Sequence, residues 1–92
     1  MADNLAWSPK DPNEVLDYTI NWVNRLGTDT ISTSVFTVDS NLTVGSTSNT
    51  STTTTVWLSG GTEGATGNIL NRVTTTNGRT MDETVLLPIR SK

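Results

Sequence analysis

Carboxylates are the side chains of this 92-residue chain that could perform acid–base chemistry, because the sequence contains no His and no Cys. Without imidazole or thiolate, the usual nucleophile–base pairs and soft-metal clusters cannot form. Asp82 and Glu83 are adjacent in strand-like sequence, so their side chains should point to opposite faces. Asp11, Glu14 and Asp17 could meet around one turn, but helix capping explains them better. The sequence therefore predicts no catalytic residue and a protein that is not an enzyme.

Three short patterns resemble ligand or modification sites, and each has a simpler explanation. The glycine-rich segment 60–64 lacks the Lys and the following helix of a phosphate loop, which favours a tight corner between strands. Glycosylation sequons begin at Asn41 and Asn49, but they occur without a secretion signal in a chain rich in Asn, Ser and Thr. Asp29 and Asp39 have no spacing typical of a calcium site and suit turns. We expect no metal and no cofactor.

Two aromatic features are candidates for contact with a partner. Trp7, Lys10 and Pro12 lie in an extended leader that could add as a strand to a neighbouring chain. Alternatively, Trp7 folds back as a lid over the core of its own chain. Trp57 points away from its apolar neighbours in a strand, so it is either an exposed interface anchor or is covered by the leader or a loop. The predicted partner-binding residues are Trp7, Lys10, Pro12 and Trp57.

Strand-forming residues dominate the sequence that must position these side chains. Thr accounts for 19 of the 92 residues and Ser for 9, and branching at Cβ favours a pleated backbone. Residues 16–22 alternate apolar and polar side chains, which predicts a strand with one buried face. Residues 31–38 break this alternation, which indicates either a bulge near Ser34 or one exposed apolar side chain. The other predicted strands are residues 42–44, 52–58, 68–75 and 80–89.

Turn signals divide the chain into short strands. Asn77-Gly78 predicts a hairpin with a type I′ turn, and residues 45–51 read as a polar loop. Asp11 to Glu14 has the spacing of a capping box and could open one helical turn. Six or seven antiparallel strands at roughly ten-residue spacing predict an all-β, small immunoglobulin-like β-sandwich, with a small closed barrel as the alternative. We assign residues 1–14 to an irregular docking leader and residues 15–92 to the sandwich.

Bulk composition excludes several classes of partner. The net charge is −3 and the six basic residues are scattered, so nucleic acid would be repelled. No apolar stretch approaches the roughly 20 residues that span a bilayer. The N-terminus has no signal-peptide pattern, which suits synthesis in the cytosol followed by assembly elsewhere. The hydrophobic share of 33% predicts a thin core and fits added stabilisation from a neighbouring subunit.

A combination of short motifs extends over about residues 9–90. These motifs are Lys10-Asp11-Pro12-Asn13-Glu14-Val15-Leu16-Asp17-Tyr18, then Trp22, then Val56-Trp57-Leu58-Ser59-Gly60-Gly61-Thr62, then Asn71-Arg72-Val73-Thr74-Thr75, and Gly78-Arg79-Thr80-Met81-Asp82-Glu83. Together they resemble small accessory virion proteins of tailed bacteriophages, in the group of phage fibre–tail adaptor proteins.

The resemblance implies a non-enzymatic structural virion protein that joins the tail or neck to a fibre. It further implies other virion proteins as partners, a multi-copy ring or homo-oligomer, and synthesis in the cytoplasm of the host bacterium. A capsid decoration or head-completion protein is the alternative within this class, and a carbohydrate- or cell-adhesion module is the alternative outside it. Within the motifs, Asn71 shares the phase of a buried face and should be hydrogen-bonded to a turn. Arg72 and Arg79 could pair with Asp82 or Glu83, or with a partner.

Overall fold

The computed structural model describes residues 5–92, and within this range the chain forms seven strands and one short helix. The first four residues of the predicted leader lie outside the described residues. The elements are β1 (Leu5–Ala6), β2 (Leu16–Asn21), α1 (Val23–Leu26), β3 (Ile31–Val38), β4 (Leu42–Asn49), β5 (Thr53–Gly60), β6 (Thr66–Thr75) and β7 (Thr80–Pro88).

The strands form two sheets with the order β1-β7-β6-β3 and β2-β5-β4. All neighbouring strands are antiparallel except β1, which pairs in parallel with β7. Strands β2, β5 and β4 correspond to B, E and D of an immunoglobulin sandwich, and β3, β6 and β7 correspond to C, F and G. The predicted all-β sandwich is therefore confirmed, with six antiparallel strands and the short β1 at one edge.

The core lies between the two sheets and is built from the inward-facing residues of each strand. Alternation in β2 buries Ile20 and brings Trp22 into the core directly after the strand, as the sequence predicts. The same alternation in β7 buries Val85 and Leu87 completely. The fully buried apolar residues from the other strands are Val56, Leu58, Ile69 and Val73.

The sequence allowed two explanations for the broken alternation of β3, a bulge or one exposed apolar side chain, and the structure shows both. The pairing with β6 shifts register between Ile31 and Thr33, slightly before the predicted position at Ser34. The shift buries Ile31 and leaves the later inward-facing residues of the strand against the core, while Val35 points outward and is 60% exposed.

Strand β4 is longer than the sequence predicts. Residues 45–49, expected in a loop, continue β4 and pair with β5 after a register shift between Val44 and Thr47. These residues are Gly, Ser, Thr and Asn with no apolar residue among them, so no alternation marks them as a strand. Pairing with the β-branched strand β5 decides their conformation.

The β6–β7 hairpin closes with a different turn from the predicted type I′. Among the described residues no residue other than Gly has a positive φ, so Asn77 does not adopt the left-handed conformation that type I′ requires. Gly78 has φ 91°, and its N–H donates to the carbonyl of Thr75 at 3.0 Å. The Thr75 N–H donates in turn to Arg79 O at 2.8 Å. This pattern is a type I turn followed by a glycine bulge.

A buried polar network links the two sheets across the core. The Asn71 side chain on β6 is fully buried and accepts hydrogen bonds from Trp22 Nε1 at 3.1 Å and Thr54 Oγ1 at 2.6 Å. Its Nδ2 donates to Ser34 Oγ at 2.9 Å and to Val35 O at 3.1 Å. The burial of Asn71 agrees with the prediction. Its hydrogen-bond partners are residues on or beside strands of both sheets, whereas the sequence predicted a partner in a turn.

Asp29 fixes the β6–β7 hairpin against the end of α1. Its side chain is almost completely buried, accepts from the N–H groups of Thr30 and Asn77, and pairs with Arg79 Nε at 3.1 Å. Arg79 therefore does not form the predicted pair with Asp82 or Glu83, because its guanidinium is bound to Asp29 in the segment between α1 and β3. The predicted pair Arg72–Asp82 is observed, at 2.8 Å.

Candidate partner-binding surface

Trp57 lies on the outer face of the three-stranded sheet. It occupies β5, the central strand, where alternation places Val56 and Leu58 in the core with no exposed surface. The indole of Trp57 points the other way and is 43% exposed. The indole is therefore accessible to another molecule, which is one of the two outcomes that the sequence allowed.

The surroundings of Trp57 keep its ring open and almost uncharged. Asp17 on β2 is the cross-strand neighbour on one side. Gly45 lies on the other side, where a Cβ atom would stand 3.4 Å from the Trp57 Cβ, so this position of β4 places no side chain against Trp57. No Asp, Glu, Lys or Arg occurs between Asp39 and Glu63, which makes Asp17 the single charge on these three strands. The surface combines one exposed indole with Ser and Thr hydroxyls.

Trp7 is folded onto its own chain. Its backbone N–H donates to Leu86 O on β7 at 2.9 Å, next to the parallel pairing of β1. Its ring stacks on Tyr18 with centroids 4.4 Å apart and an interplanar angle of 18°. The half-buried side chain contacts both apolar clusters of the core. This is the lid arrangement that the sequence left as the alternative to strand addition on a neighbour.

Lys10 is also turned inward. Its side chain has no exposed surface, and its ammonium donates to the carbonyls of Asp11 at 2.9 Å and Gly60 at 2.6 Å. Desolvation by burial lowers the pKa of Lys10, although the carboxylates of Glu14 and Asp11 oppose the shift. The side chain therefore attaches the leader to the end of β5, which differs from the contact with a partner that the sequence suggested.

Pro12 begins the single turn that connects the leader to β2, and it is half-buried. The Asp11 N–H donates to Glu14 Oε1 at 2.9 Å and the Asn13 N–H donates to Asp11 Oδ1 at 2.8 Å. These two bonds form the capping arrangement expected from the sequence. The bond from Asn13 is the main cause of the lowered pKa of Asp11, and the bond from Asp11 is the main cause of the lowered pKa of Glu14.

The lid of Trp7 leaves one polar atom without a partner. The Tyr18 hydroxyl is buried and has no hydrogen bond within the described part of the chain. Burial raises the pKa of Tyr18, and the negative charges of Glu14 and Asp17 act in the same direction. The raised pKa favours the protonated hydroxyl. The ring of Tyr18 stacks on Trp7, and this contact holds the leader against the sandwich.

In addition to Trp57, the structure exposes two apolar side chains that sequence reasoning did not identify. Val15 is 60% exposed next to the capping turn, and Val23 is 45% exposed on α1. Val35, also 60% exposed, is the one apolar side chain of β3 that the bulge leaves outside. The phase break in residues 31–38 was the signal that could have identified Val35 as a surface residue.

Within residues 5–92, no group of three or more acidic side chains is placed to hold a metal ion. No helix in that range is both long and apolar enough to cross a bilayer. Among the described residues, the outer face of the three-stranded sheet presents one exposed indole on a nearly uncharged surface. Such a surface is suited to protein contact.

Comparison with protein families gives a match over most of the chain. A family model described as "Podophage GP4 fiber-tail adaptor protein gp77" matches residues 10–88. The match begins at the buried Lys10 and ends at Pro88, the last residue of β7, so it covers every strand of the two sheets except β1. A comparison with curated proteins found no match.

Proposed function

Because this chain belongs to the podophage GP4 fiber-tail adaptor family, we propose that it is a non-enzymatic virion protein that joins the tail or neck of a bacteriophage to a fibre. The family is one of structural phage proteins, which places the chain in the virion and makes other tail and fibre proteins its partners. The protein is made in the cytoplasm of the host bacterium and is incorporated in several copies. The absence of Cys fits this origin, since the fold needs no oxidising compartment.

The exposed indole of Trp57 is the observation that supports this function at residue level. Trp is enriched among the residues that dominate binding energy, because one rigid side chain buries a large area at low entropic cost. The sheet beneath it is already ordered, since Thr54 on the same strand is tied to Asn71 across the core. We therefore assign Trp57 as the anchor for one virion partner, with the hydroxyls of the neighbouring strands around it.

The substitution Trp57→Ala tests this assignment. Binding of the purified protein to fibreless phage particles and to isolated fibres is measured, and we expect at least a tenfold loss of affinity for one of them. Val23→Ala is the matched control, because Val23 is exposed to a similar extent on α1. Equal binding by Trp57→Ala and the unaltered protein would remove Trp57 from the interface. Binding to neither particle would contradict the adaptor function itself.

Copy number distinguishes this function from capsid decoration. A tail or neck ring contains about a dozen copies or fewer, whereas a decorated capsid carries hundreds, because closed rings and shells differ in their symmetry. We expect quantitative mass spectrometry of intact particles to give the smaller number. Hundreds of copies per particle would assign the protein to the capsid.

A further inference from the structure

The described part of the leader, residues 5–14, rests in a site that the rest of the chain builds. Trp7 and Lys10 make the contacts, each through its backbone N–H and its side chain. The groups that receive these contacts, here called the leader site, are the carbonyls of Leu86 and Pro88 on β7, the carbonyl of Gly60 at the end of β5 and the ring of Tyr18 on β2. None of these groups belongs to the leader, so the site is complete in any copy whose own leader has moved away.

The leader is attached to the sandwich at separate points and not along a continuous strand. The two residues of β1 pair with β7, and the next pairing is the single bridge made by Lys10. Residues 8–9 between these points form no backbone hydrogen bond to any described residue, and Pro9 has no N–H to donate. The stacked ring of Trp7 and the buried ammonium of Lys10 therefore supply much of the attachment.

A short hinge, residues 11–14, joins the leader to β2. Its two side-chain hydrogen bonds lie within the hinge itself. Outside the hinge its carboxylates contact Lys92, in an exposed pairing of the kind that contributes little to stability. Pro12 has a fixed φ and restricts Asp11 before it to extended conformations. Exchange of a terminal strand between copies is favoured by short hinges of this kind.

The contacts of the leader are the same on its own chain and on a neighbouring copy. The β1 pairing, the stacking of Trp7 and the hydrogen bonds of Lys10 are recovered in both arrangements, so exchange loses none of them. The hinge and the local concentration of neighbouring copies then decide between the two arrangements. Fully extended, the four residues of the hinge span about 14 Å, so exchange is limited to adjacent copies.

We propose that, in the assembled virion, the leader site of each copy is occupied by the leader of an adjacent copy of this chain. This inference rests on the adaptor function proposed above, in which several copies assemble on one particle, and it names the contact that holds these copies together. Trp7 and Lys10 are then contacts with a partner, as the sequence predicts, and Pro12 lies in the hinge. Exchange passed from copy to copy in one direction can close into a ring.

A second copy is the occupant whose chemistry matches the site. In the structure this segment of the chain is seated in the site, with a ring stacked on Tyr18 and an ammonium bound to Gly60 O. Two backbone N–H groups, those of Trp7 and Lys10, bind β7 at 2.9 Å each. Another protein would need an aromatic ring and a cation three residues apart on an extended strand. Every copy of this chain carries that combination.

Single cysteines test the exchange, because the chain contains no Cys of its own. Ala6 and Leu86 are Cα partners in the β1–β7 pairing and neither is buried, so a disulfide can join the two positions. One preparation carries Ala6→Cys and the other Leu86→Cys, and both are loaded together onto fibreless phage particles and onto isolated fibres. After oxidation, we expect peptide mass spectrometry to find a disulfide between positions 6 and 86 of different copies.

Thr43→Cys takes the place of Leu86→Cys in the matched control, because Thr43 is exposed on the other sheet. We expect at least about ten times more cross-linked product with Leu86→Cys, since only that position lies beside an exchanged leader. Equal yields overturn the inference, and so does the absence of the 6–86 disulfide from bound protein, while the adaptor function remains. If the unaltered protein binds neither particle, the inference and the adaptor function are both wrong.

A leader locked onto its own chain provides an independent test. In dilute solution the double variant Ala6→Cys/Leu86→Cys should form its disulfide within one chain, which also verifies that the variant folds. This locked protein cannot exchange, so we expect it to bind the particle at least about tenfold more weakly than the same protein after reduction. Thr74→Cys/Thr80→Cys, which joins partners within the β6–β7 hairpin, is the control and should bind equally in both redox states. Equal binding by the locked and reduced forms of the first variant would refute exchange of the leader.

Discussion

At the scale of single residues, Asn71 connects the two halves of the sandwich. Its oxygen accepts two hydrogen bonds and its nitrogen donates two, so every polar site of the amide is used. In antibody domains a disulfide joins strands B and F, which correspond to β2 and β6. This chain has no Cys, and the contact of Trp22, directly after β2, with Asn71 on β6 spans the same two strands. A polar network thus links the sheets where a covalent bond is absent.

Replacing Asn71 by Ala should therefore be strongly destabilising. The change removes the acceptor of the Thr54 hydroxyl and one of the two acceptors of the buried Trp22 N–H, which also donates to Thr54 Oγ1 at 3.1 Å. We expect a cost of about 2–4 kcal/mol of the free energy of unfolding. Urea unfolding followed by Trp fluorescence measures the effect. Thr74→Ala, at an exposed position of the same strand, is the control and should change the free energy by less than about 0.5 kcal/mol. A loss equally small for Asn71→Ala would show that the network contributes little.

At the scale of elements, the leader is part of the sandwich. Leu5 and Ala6 pair with β7, and Lys10 forms a bridge with Ile89, just after β7. The side chains of Lys10 and Trp7 add contacts to β5 and to Tyr18. The parallel β1–β7 pairing is short, so the side chains provide most of the attachment.

The two sheets also pack closely between β6 and β4. Gly67 on β6 lies against the buried side chain of Leu42, the first residue of β4.

Trp7→Ala should lower the stability of the whole domain. The half-buried indole contacts both core clusters, and its loss should reduce the free energy of unfolding by about 1–3 kcal/mol, less than for a fully buried Trp. The comparison with Trp57→Ala is informative, because the exposed indole should contribute less than about 1 kcal/mol. If Trp7→Ala were as stable as Trp57→Ala, the leader would not belong to the core.

Gly67→Ala should disturb the packing of β6 against β4. A Cβ atom at this position would stand 2.5 Å from Leu42 Cδ1, which forces a buried side chain to move. Such overpacking typically costs about 1–3 kcal/mol. Gly45→Ala is the control, because its Cβ would meet Trp57 Cβ at 3.4 Å on an open surface. Thermal unfolding should show a lower midpoint for Gly67→Ala alone, and equal midpoints would argue against this close contact.

At the scale of the whole molecule, carboxylates stabilise the fold at neutral pH. Hydrogen bonds from the Asn13 and Asp11 N–H groups lower the pKa of Asp11 and Glu14, and the bond from Arg72 lowers that of Asp82. Burial raises the pKa of Asp29, but hydrogen bonds from Thr75, Thr30, Arg79 and Asn77 outweigh it and the net pKa is lowered. The native state therefore binds fewer protons than the unfolded state at acidic pH.

We expect the protein to lose stability in acid. Because these pKa values are lower in the folded state, the stabilisation is complete above the ordinary values of 3.8 for Asp and 4.5 for Glu and disappears as the pH falls through the folded values. Urea midpoints measured from pH 6 to pH 2 should decrease below about pH 4. The variant Asp82→Asn should show a smaller decrease. A pH-independent midpoint would contradict the assigned hydrogen bonds.

The sequence by itself determined the sandwich and the set of side chains that the protein can offer for chemistry. Alternation in β2 and β7 is local and records which side of each strand meets the core, so the buried faces could be predicted without coordinates. Because the sequence contains no His and no Cys, it also shows directly that imidazole and thiolate chemistry are not available to this chain. Trp57 stands between Val56 and Leu58 in the strand and alternates with these two buried residues, so its outward direction could be predicted from the sequence.

Tertiary structure alone decided the features that depend on partners distant in sequence. Residues 45–49 became a strand because β5 pairs with them, and their own polar side chains carry no alternation. Lys10 became buried where the carbonyl of Gly60, fifty residues away, accepts a hydrogen bond from its ammonium. The position of β3 at the edge of its sheet likewise depends on the order of the strands, which no local pattern encodes. Local sequence sets which face of a strand is apolar, whereas packing between distant segments sets which edges and side chains remain available to another protein.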